Sequence, residues 1–275
     1  MQAAFSCAGK PLDMSHPVVM GILNITPDSF YDGGCYPAIP DQLSRVEKML
    51  NEGAAIIDMG AVSTRPGAVS VNEEEEISRL LPALTAIKKH FPDTIISVDT
   101  YRANVARIMI DNGAGMINDI YGGRYDFKMI ETIQSAGIPY VMMHIQGNPG
   151  DMQVFPYYQN IVEEITAFFI EQTGKFQNGF RQIILDPGFG FGKTVEHNYK
   201  LLQDFQSFKT MGFPLMAGLS RKSMINRVLK TKPSEALNGT TVLNTIALMK
   251  GADILRVHDV KEAVEAIALV ASMKG

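Results

Sequence analysis

The sequence predicts a single-domain α/β protein folded as a (β/α)8 TIM barrel. Eight short apolar runs alternate with longer stretches in which polar and apolar residues mix at helical spacing. Strands that are buried on both faces and joined by helices form a parallel sheet, and eight repeats in 275 residues suit a closed barrel. No linker rich in proline, serine or glycine divides the chain. We therefore expect residues 1–275 to form one domain.

The predicted strands and helices follow each other in regular order. The strands are PVVMGILN, AAIIDMG, TIISVDT, AGMINDI, IPYVMMH, QIILDP, FPLMAGLS and ADILRVHD. Helices are predicted between them at 41–51, 72–90, 101–111, 157–176, 196–211 and 234–250, and an apolar helix, AVEAIALVASM, follows the last strand. Glycines are expected where helices end and strands begin, at Gly53, Gly113, Gly137, Gly212 and Gly251.

Composition excludes several classes of protein. The net charge is −4 with no basic block, so we expect neither nucleic acid nor an anionic membrane as a partner. Two cysteines, Cys7 and Cys35, are too few for a disulfide framework and indicate free thiols in a reducing compartment. The N-terminus lacks the features of a signal peptide and no run of 18 apolar residues occurs. The expected location is cytoplasmic.

Every predicted strand ends in a polar or charged residue. Any one of these residues could simply mark the change from strand to loop. In a barrel, however, the carboxyl ends of all strands converge on the face where active sites are built. Together with glycine-rich loops, the pattern predicts an active site formed by Asn24, Asp58, Asp99, Asn118, His144, Asp186, Ser220 with Arg221, and Arg256 with His258.

The acids and the amide suit a flat heterocycle. Asp99, Asn118 and Asp186 follow three different strands, and Phe191 lies in the glycine-rich loop after the third of these residues. Carboxylates accept hydrogen bonds from amino and ring N–H groups, and aromatic walls cover the face of a ring. A dimetal site is the alternative for clustered carboxylates. The five histidines are scattered rather than paired at ligand spacing, which disfavours that alternative.

The cations suit an anionic ligand. Thr64 and Arg65 follow the second strand, while Arg256 and His258 end the eighth. Strands one, two and eight are neighbours in a closed barrel, so these groups and Asn24 can form one site for a phosphate or diphosphate. A solvated structural arginine, or anion binding at the amino terminus of the helix that follows Lys222, remains an alternative.

The stretch LDPGFGFGKT looks like a phosphate-binding P-loop, but it is not one. The P-loop pattern requires a glycine five places before its Gly-Lys pair, and Pro187 occupies that place. Proline has no backbone N–H to offer a phosphate and its φ angle is fixed. The loop must therefore have another role, and the presence of Lys193 in it does not indicate a nucleotide.

The motifs together resemble those of the dihydropteroate synthase family, from about residue 18 to residue 270. In order they are MGILNITPDSFYDGG, STRPGA, SVDT, NDI, MMHIQGNP, LDPGFGFGKT, GLSRKSMI and RVHDV. One departure is GAVST, with Val62 where the family commonly has an acid. The pterin-binding domain of corrinoid methyltransferases, which binds methyltetrahydrofolate, is the closest alternative, but TPDSF and SRKS favour the synthase. A Schiff-base aldolase using Lys222 and a scaffolding role are further alternatives.

The resemblance implies a function and a set of site residues. The expected reaction joins a pterin diphosphate to 4-aminobenzoate in folate biosynthesis, with Mg2+ as cofactor, in an enzyme that is the target of sulfonamides and forms homodimers. The implied pterin residues are Asp99, Asn118, Ile120, Met143, Asp186, Phe191, Gly218, Lys222 and Arg256. The implied diphosphate residues are Asn24, Thr64, Arg65, Arg256 and His258. The implied 4-aminobenzoate residues are Phe30, Pro66, Ser220 and Lys222. The implied Mg2+ ligands are Asn24 and Asp32. The implied catalytic residues are Asp32, Asp186, Lys222 and Arg256.

Overall fold

The computed structural model describes residues 4–25, 38–62 and 71–273, and at its centre is a barrel of eight parallel strands. A hairpin of β1 (Ala4–Cys7) and β2 (Lys10–Asp13) precedes the barrel. The barrel strands are β3 (Val18–Asn24), β4 (Ile56–Gly60), β5 (Ile95–Asp99), β6 (Met116–Asp119), β7 (Tyr140–Met143), β8 (Ile183–Asp186), β9 (Met216–Ala217) and β10 (Ile254–Val257). All eight predicted strands are confirmed.

The sheet closes on itself in the order expected of a barrel. Its strands run β8-β7-β6-β5-β4-β3-β10-β9, and each pair is parallel. The two ends of this order meet where Leu185 donates its backbone N–H to the oxygen of Pro214 at 2.9 Å. Strands β4, β3 and β10 are therefore neighbours, as the predicted anion site requires.

The helices surround this sheet, and most were predicted. Those that the structure describes are α1 (Ile39–Asn51), α2 (Glu73–His90), α3 (Ala103–Asp111), α4 (Met129–Ala136), α5 (Ile161–Thr173), α6 (Val195–Gln203), α7 (Ser223–Leu229), α8 (Leu237–Met249) and α9 (Val260–Ser272). No bounds were predicted for the eight-residue α4 or the seven-residue α7, because two turns give too short an apolar period to recognise. None of the described helices is long and apolar enough to cross a membrane.

Two predicted helices differ from the structure in extent. The segment 157–176 becomes helical only at Ile161, because the side chain of Asn160 accepts hydrogen bonds from the backbone of the first turn. The segment 196–211 divides into α6 and a 3-10 helix at Phe205–Met211, and a second 3-10 helix spans Pro233–Glu235. All five glycines predicted at helix ends have positive φ, between 67° and 99°.

The hairpin closes the amino-terminal end of the barrel and was not predicted. Phe5, Cys7 and Leu12 are buried against a ring made of one residue from each barrel strand: Met20, Ile56, Ile95, Met116, Val141, Ile184, Met216 and Ile254. Two strands of four residues give too little alternation to recognise in sequence. Because this end is filled by apolar side chains, polar chemistry is confined to the carboxyl ends of the strands.

Candidate functional site

The carboxyl ends of the barrel strands surround one cavity. Its walls contain all nine residues expected for the pterin, together with Phe189: Asp99, Asn118, Ile120, Met143, Asp186, Phe191, Gly218, Lys222 and Arg256. Four of the polar members come from the ends of β5, β6, β8 and β10, and Lys222 comes from the segment between β9 and α7. Apolar side chains lie between them, as a flat ring with a polar edge would require.

The Arg256 guanidinium joins two carboxylates at the base of this cavity. Its Nε donates to Asp58 Oδ2 at 2.6 Å, and its Nη2 donates to Asp99 Oδ2 at 2.9 Å. Asp58 Oδ2 also accepts from Asn118 Nδ2 at 3.0 Å. Asp58 is fully buried, and a buried carboxylate of this kind requires such partners.

Asp58 was predicted as one of the strand-end residues, but no specific role was assigned to it. The structure shows that it holds both Arg256 and Asn118 in place. The signal was available, because Asp58 is an acid inside the apolar run AAIIDMG, followed by two further strand residues. An acid within a buried strand is rare unless it is paired.

One buried acceptor in the cavity wall and one behind it lack a donor. Among the described residues, no group donates to Asn118 Oδ1, in the wall, or to Asp58 Oδ1, behind it. Buried polar atoms are rarely left in this state, so Asn118 Oδ1 indicates a place where a ligand donor would be favourable. An amide oxygen and carboxylates around one cavity match a ligand with several N–H groups along one edge.

Asp186 and Lys222 form the second charged part of the cavity. Asp186 Oδ1 accepts from the backbone N–H of Gly188 at 2.8 Å, and burial raises the pKa of this carboxyl group despite that bond and the nearby Lys222. The Lys222 ammonium lies 4.2 Å from the centre of the Phe191 ring. Burial lowers the Lys222 pKa to about 8, opposed by Asp186. Lys222 is therefore mostly charged at pH 7.

Asp99 is an acid whose pKa lies in the neutral range. Burial raises its pKa to about 7; Arg256 opposes the shift and the neighbouring Asp58 adds to it. Near neutral pH, Asp99 therefore exchanges between a neutral and a charged form. A donor that binds to Asp99 would favour the charged form.

Ser220 and His258 form the side of the site nearest to β10. Ser220 Oγ accepts from the backbone N–H of His258 at 3.2 Å and lies 3.0 Å from His258 Nδ1. The hydroxyl proton is then free to point at Nδ1, which leaves the ring proton on Nε2. Burial and the nearby Arg256 lower the pKa of His258 to about 4, so the ring is a neutral donor at pH 7.

Arg221 and His144 are strand-end residues that do not line the cavity. Arg221 has a φ angle of 56° and turns outward to pair with Asp259 through Nε and Nη2, at 3.0 and 2.6 Å. His144 is buried behind the cavity, beside Lys193. The strand-end pattern alone could not separate residues that face the cavity from residues behind it.

Several expected residues lie outside the part of the chain that the structure describes. They are Phe30, Asp32, Cys35, Thr64, Arg65 and Pro66. Asn24 is described, and its exposed side chain ends β3 beside β4 and β10. In residues 4–25, 38–62 and 71–273, no three His, Cys, Asp or Glu side chains are grouped as a metal site would need.

Comparison with known proteins gives consistent results. Residues 20–258 match the model of a family described as pterin binding enzymes. The chain is 46% identical to the dihydropteroate synthase of Escherichia coli K12 over 95% of this chain and 93% of that protein. It superposes with a TM-score of 0.93 on Yersinia pestis dihydropteroate synthase in a sulfonamide complex, at 41% identity, covering 98% and 99% of the two chains. It superposes with a TM-score of 0.90 on the Xanthomonas albilineans dihydropteroate synthase with 4-aminobenzoic acid, at 34% identity, covering 100% of this chain and 99% of that chain.

Proposed function

The chain belongs to the dihydropteroate synthase family of pterin-binding enzymes, and from this premise we propose how its residues share the work of the reaction. The enzyme condenses 6-hydroxymethyl-7,8-dihydropterin pyrophosphate with 4-aminobenzoate and releases diphosphate. The observation that carries our assignment of roles is the convergence of Asp99, Asn118, Asp186, Lys222 and Arg256 around one cavity with an unpaired acceptor.

The pterin ring binds in this cavity, between the acceptors and the apolar walls. Asp186 and Asn118 accept hydrogen bonds from the amino and ring N–H groups of the pterin, which supplies the donor that Asn118 Oδ1 otherwise lacks. Ile120, Met143 and Phe191 cover the ring. Lys222 donates to an acceptor on the same ring, and its position over Phe191 keeps it at the edge of the cavity.

The diphosphate lies on the side of β10, where the cationic and donor groups are. Arg256 and the neutral His258 Nε2–H face this side, and the predicted Asn24, Thr64 and Arg65 complete the site. Arginine suits this role because its planar donors match phosphate oxygens in pairs. These groups stabilise the negative charge that develops on the diphosphate as it leaves.

Asn24 and the predicted Asp32 would hold Mg2+ together with the oxygens of the diphosphate. Within the described residues, only the Asn24 amide is available among the predicted ligands, and no acidic cluster of the kind a resident metal needs is present. Mg2+ is commonly held by one or two protein oxygens plus phosphates and water, which fits Asn24 with the predicted Asp32. When bound, Mg2+ neutralises charge on the leaving diphosphate.

The 4-aminobenzoate binds above the pterin, beside Ser220 and Lys222, with the predicted Phe30 and Pro66. Its amine lone pair forms the C–N bond to the pterin methylene carbon as the C–O bond to diphosphate breaks, and the electron pair of that bond leaves with the diphosphate. The amine proton passes to solvent or to diphosphate. Asp186 and Asp99 stabilise the positive charge that spreads into the pterin as the bond breaks. No protein base is required.

Diphosphate release tests these roles together. The enzyme is mixed with the pterin diphosphate, with and without 4-aminobenzoate and with and without Mg2+. We expect release to require both the amine and the metal. Release that is equally fast after removal of Mg2+ by a chelator would contradict the proposed metal, and release without the amine would contradict direct displacement.

Pterin binding should release protons near pH 7, because the N–H donors of the pterin bind the charged form of Asp99 more strongly than the neutral form. The raised pKa means that Asp99 is protonated below about 7, so affinity should fall as the pH decreases, by up to about tenfold per unit. Calorimetry with 6-hydroxymethylpterin in buffers of different ionisation enthalpy measures this release. The Asp99→Asn variant should bind the pterin weakly, and its binding should release no protons. Constant affinity between pH 6 and pH 8 would contradict this role.

The enzyme forms a homodimer in the cytoplasm through α7 to α9. Helix α8 contains no charged residue, and its Val242 and Met249 are exposed apolar side chains. Leu229 on α7 and Leu269 on α9 are also exposed. An apolar outer surface of this kind favours contact with a second copy. The cytoplasmic location is proposed from the cysteine content.

Light scattering on a size-exclusion column tests the dimer. The wild type should elute at twice the 30.2 kDa of one chain, and Val242→Lys should elute as a monomer. The matched control is Ile170→Lys, because Ile170 is also an exposed apolar residue but lies on α5. A monomeric wild type at micromolar concentration would contradict the proposal.

A further inference from the structure

Lys193 is the lysine of the GFGKT stretch that looked like a P-loop, and its ammonium group points into the protein. Its side chain is only 3% exposed. Nζ lies 2.9 Å from Gly188 O, 3.0 Å from Phe191 O, 3.2 Å from His144 Nδ1 and 3.3 Å from His144 O. Burial lowers the pKa of Lys193 to about 7, and the nearby Asp186 opposes the shift. In its charged form the group has three N–H donors and no acceptor, so the four neighbours accept and share these donors. Nδ1 of His144 then carries no proton.

These acceptors belong to two different walls of the cavity. His144 directly follows β7, whose last residue, Met143, lines the cavity. Gly188 and Phe191 belong to the loop of residues 187–192, which we call the glycine loop and which follows Asp186. Lys193 therefore ties the glycine loop to the end of β7 without touching the cavity itself.

The two walls approach each other so closely at Gly188 and Gly192 that neither position has room for a side chain. A Cβ on Gly188 would lie 2.0 Å from His144 O, and a Cβ on Gly192 would lie 2.3 Å from Gln146 O. Both glycines also have positive φ, at 74° and 62°. Three backbone oxygens converge at this contact, and their dipoles would repel each other without a cation between them.

We propose that Lys193 is a positioning residue for the pterin: it gathers the carbonyl groups of the glycine loop and of His144, and so fixes Asp186 and Phe191 at the distances that the pterin requires. This inference rests on the pterin site proposed above. The carboxylate of Asp186 is tied to the same loop through the Gly188 N–H. Phe191 carries the cation contact with Lys222. A shift of the glycine loop would thus move three pterin groups together.

Lys193→Met tests the proposal, because it keeps the length of the side chain and removes every donor. With 6-hydroxymethylpterin as the probe in calorimetry, we expect the Kd of Lys193→Met to be at least about tenfold higher than that of the wild type. A change of this size is typical when a residue that orients the ligand-binding groups is removed. The KM for 4-aminobenzoate at saturating pterin diphosphate should stay within about twofold of the wild type. Lys200→Met is the matched control, since Lys200 is an exposed lysine on α6 paired with Asp204.

Two further variants keep the test decisive. If Lys193→Met does not fold, His144→Phe keeps a ring against Tyr158 and Phe168 and removes both ring nitrogens, including the Nδ1 that accepts from Lys193. It should weaken pterin binding about threefold and leave the 4-aminobenzoate KM unchanged. Wild-type pterin affinity in the folded Lys193→Met variant would overturn the proposal. Equal changes in the pterin Kd and in the 4-aminobenzoate KM would overturn it as well. Wild-type affinity in Asp186→Asn would instead show that the pterin site itself is assigned wrongly, and the inference would fall with it.

Discussion

Asp186→Asn should weaken pterin binding about 100-fold while the protein remains folded. The variant keeps the size of the side chain and an oxygen that can accept from the Gly188 N–H. It removes the charge that pairs with Lys222 and with the N–H groups of the pterin, and hydrogen bonds to a charged partner contribute about 1.5–3 kcal/mol each. Turnover should fall further, because the same charge stabilises the cationic pterin as the C–O bond breaks.

Calorimetry with 6-hydroxymethylpterin and steady-state kinetics check this prediction. The matched control is Asp111→Asn, because Asp111 is an exposed acid on α3 whose partner, Arg107, is also exposed. The control should bind pterin as the wild type does. A decrease in pterin affinity of less than about threefold in Asp186→Asn would exclude Asp186 as the main acceptor.

Arg256→Met should cause the second large effect, on both stability and turnover. Removal of the guanidinium leaves Asp58 and Asp99 as two carboxylates without their shared cation. Loss of one partner from a buried ion pair destabilises a protein by about 3 kcal/mol, and Asp58 is fully buried. Turnover should fall at least about 1000-fold, because Arg256 also faces the departing diphosphate.

A double variant separates the two effects. Arg256→Met with Asp58→Asn should regain most of the lost stability in chemical unfolding, because the fully buried one of the two unpaired carboxylates is gone while the amide oxygen can still accept from Asn118. Turnover should not recover. If the double variant is no more stable than Arg256→Met alone, Asp58 is not the group that Arg256 neutralises. Arg107→Met, a surface arginine, serves as the control for side-chain loss.

The barrel could be predicted from the sequence because its signals are local. Each strand is an apolar run that ends in a polar residue, and the glycines after helices, such as Gly113 and Gly251, adopt the positive φ expected there. The terminal hairpin could not be predicted, because its stability comes from Phe5 and Leu12 packing on residues of all eight strands. Contacts of that kind are invisible to a local pattern.

The candidate site could be predicted where the barrel topology alone determines the position of a residue. Residues at strand ends, such as Asp99 and Asn118, could be placed near each other because barrel topology brings these ends together. Two features depend on side-chain direction, which sequence does not give. Asp58 proved to hold Arg256 and Asn118 together, and His144 proved to lie behind the cavity with Lys193.

The most direct test of the account is a crystal structure of the enzyme with 6-hydroxymethylpterin diphosphate. We predict that the pterin donates to Asp186 and to Asn118 Oδ1, with its diphosphate beside Arg256 and His258 Nε2. Asp186 should keep its hydrogen bond to Gly188. A pterin ring bound outside the cavity, or one that leaves Asn118 Oδ1 without a donor, would contradict the proposed site.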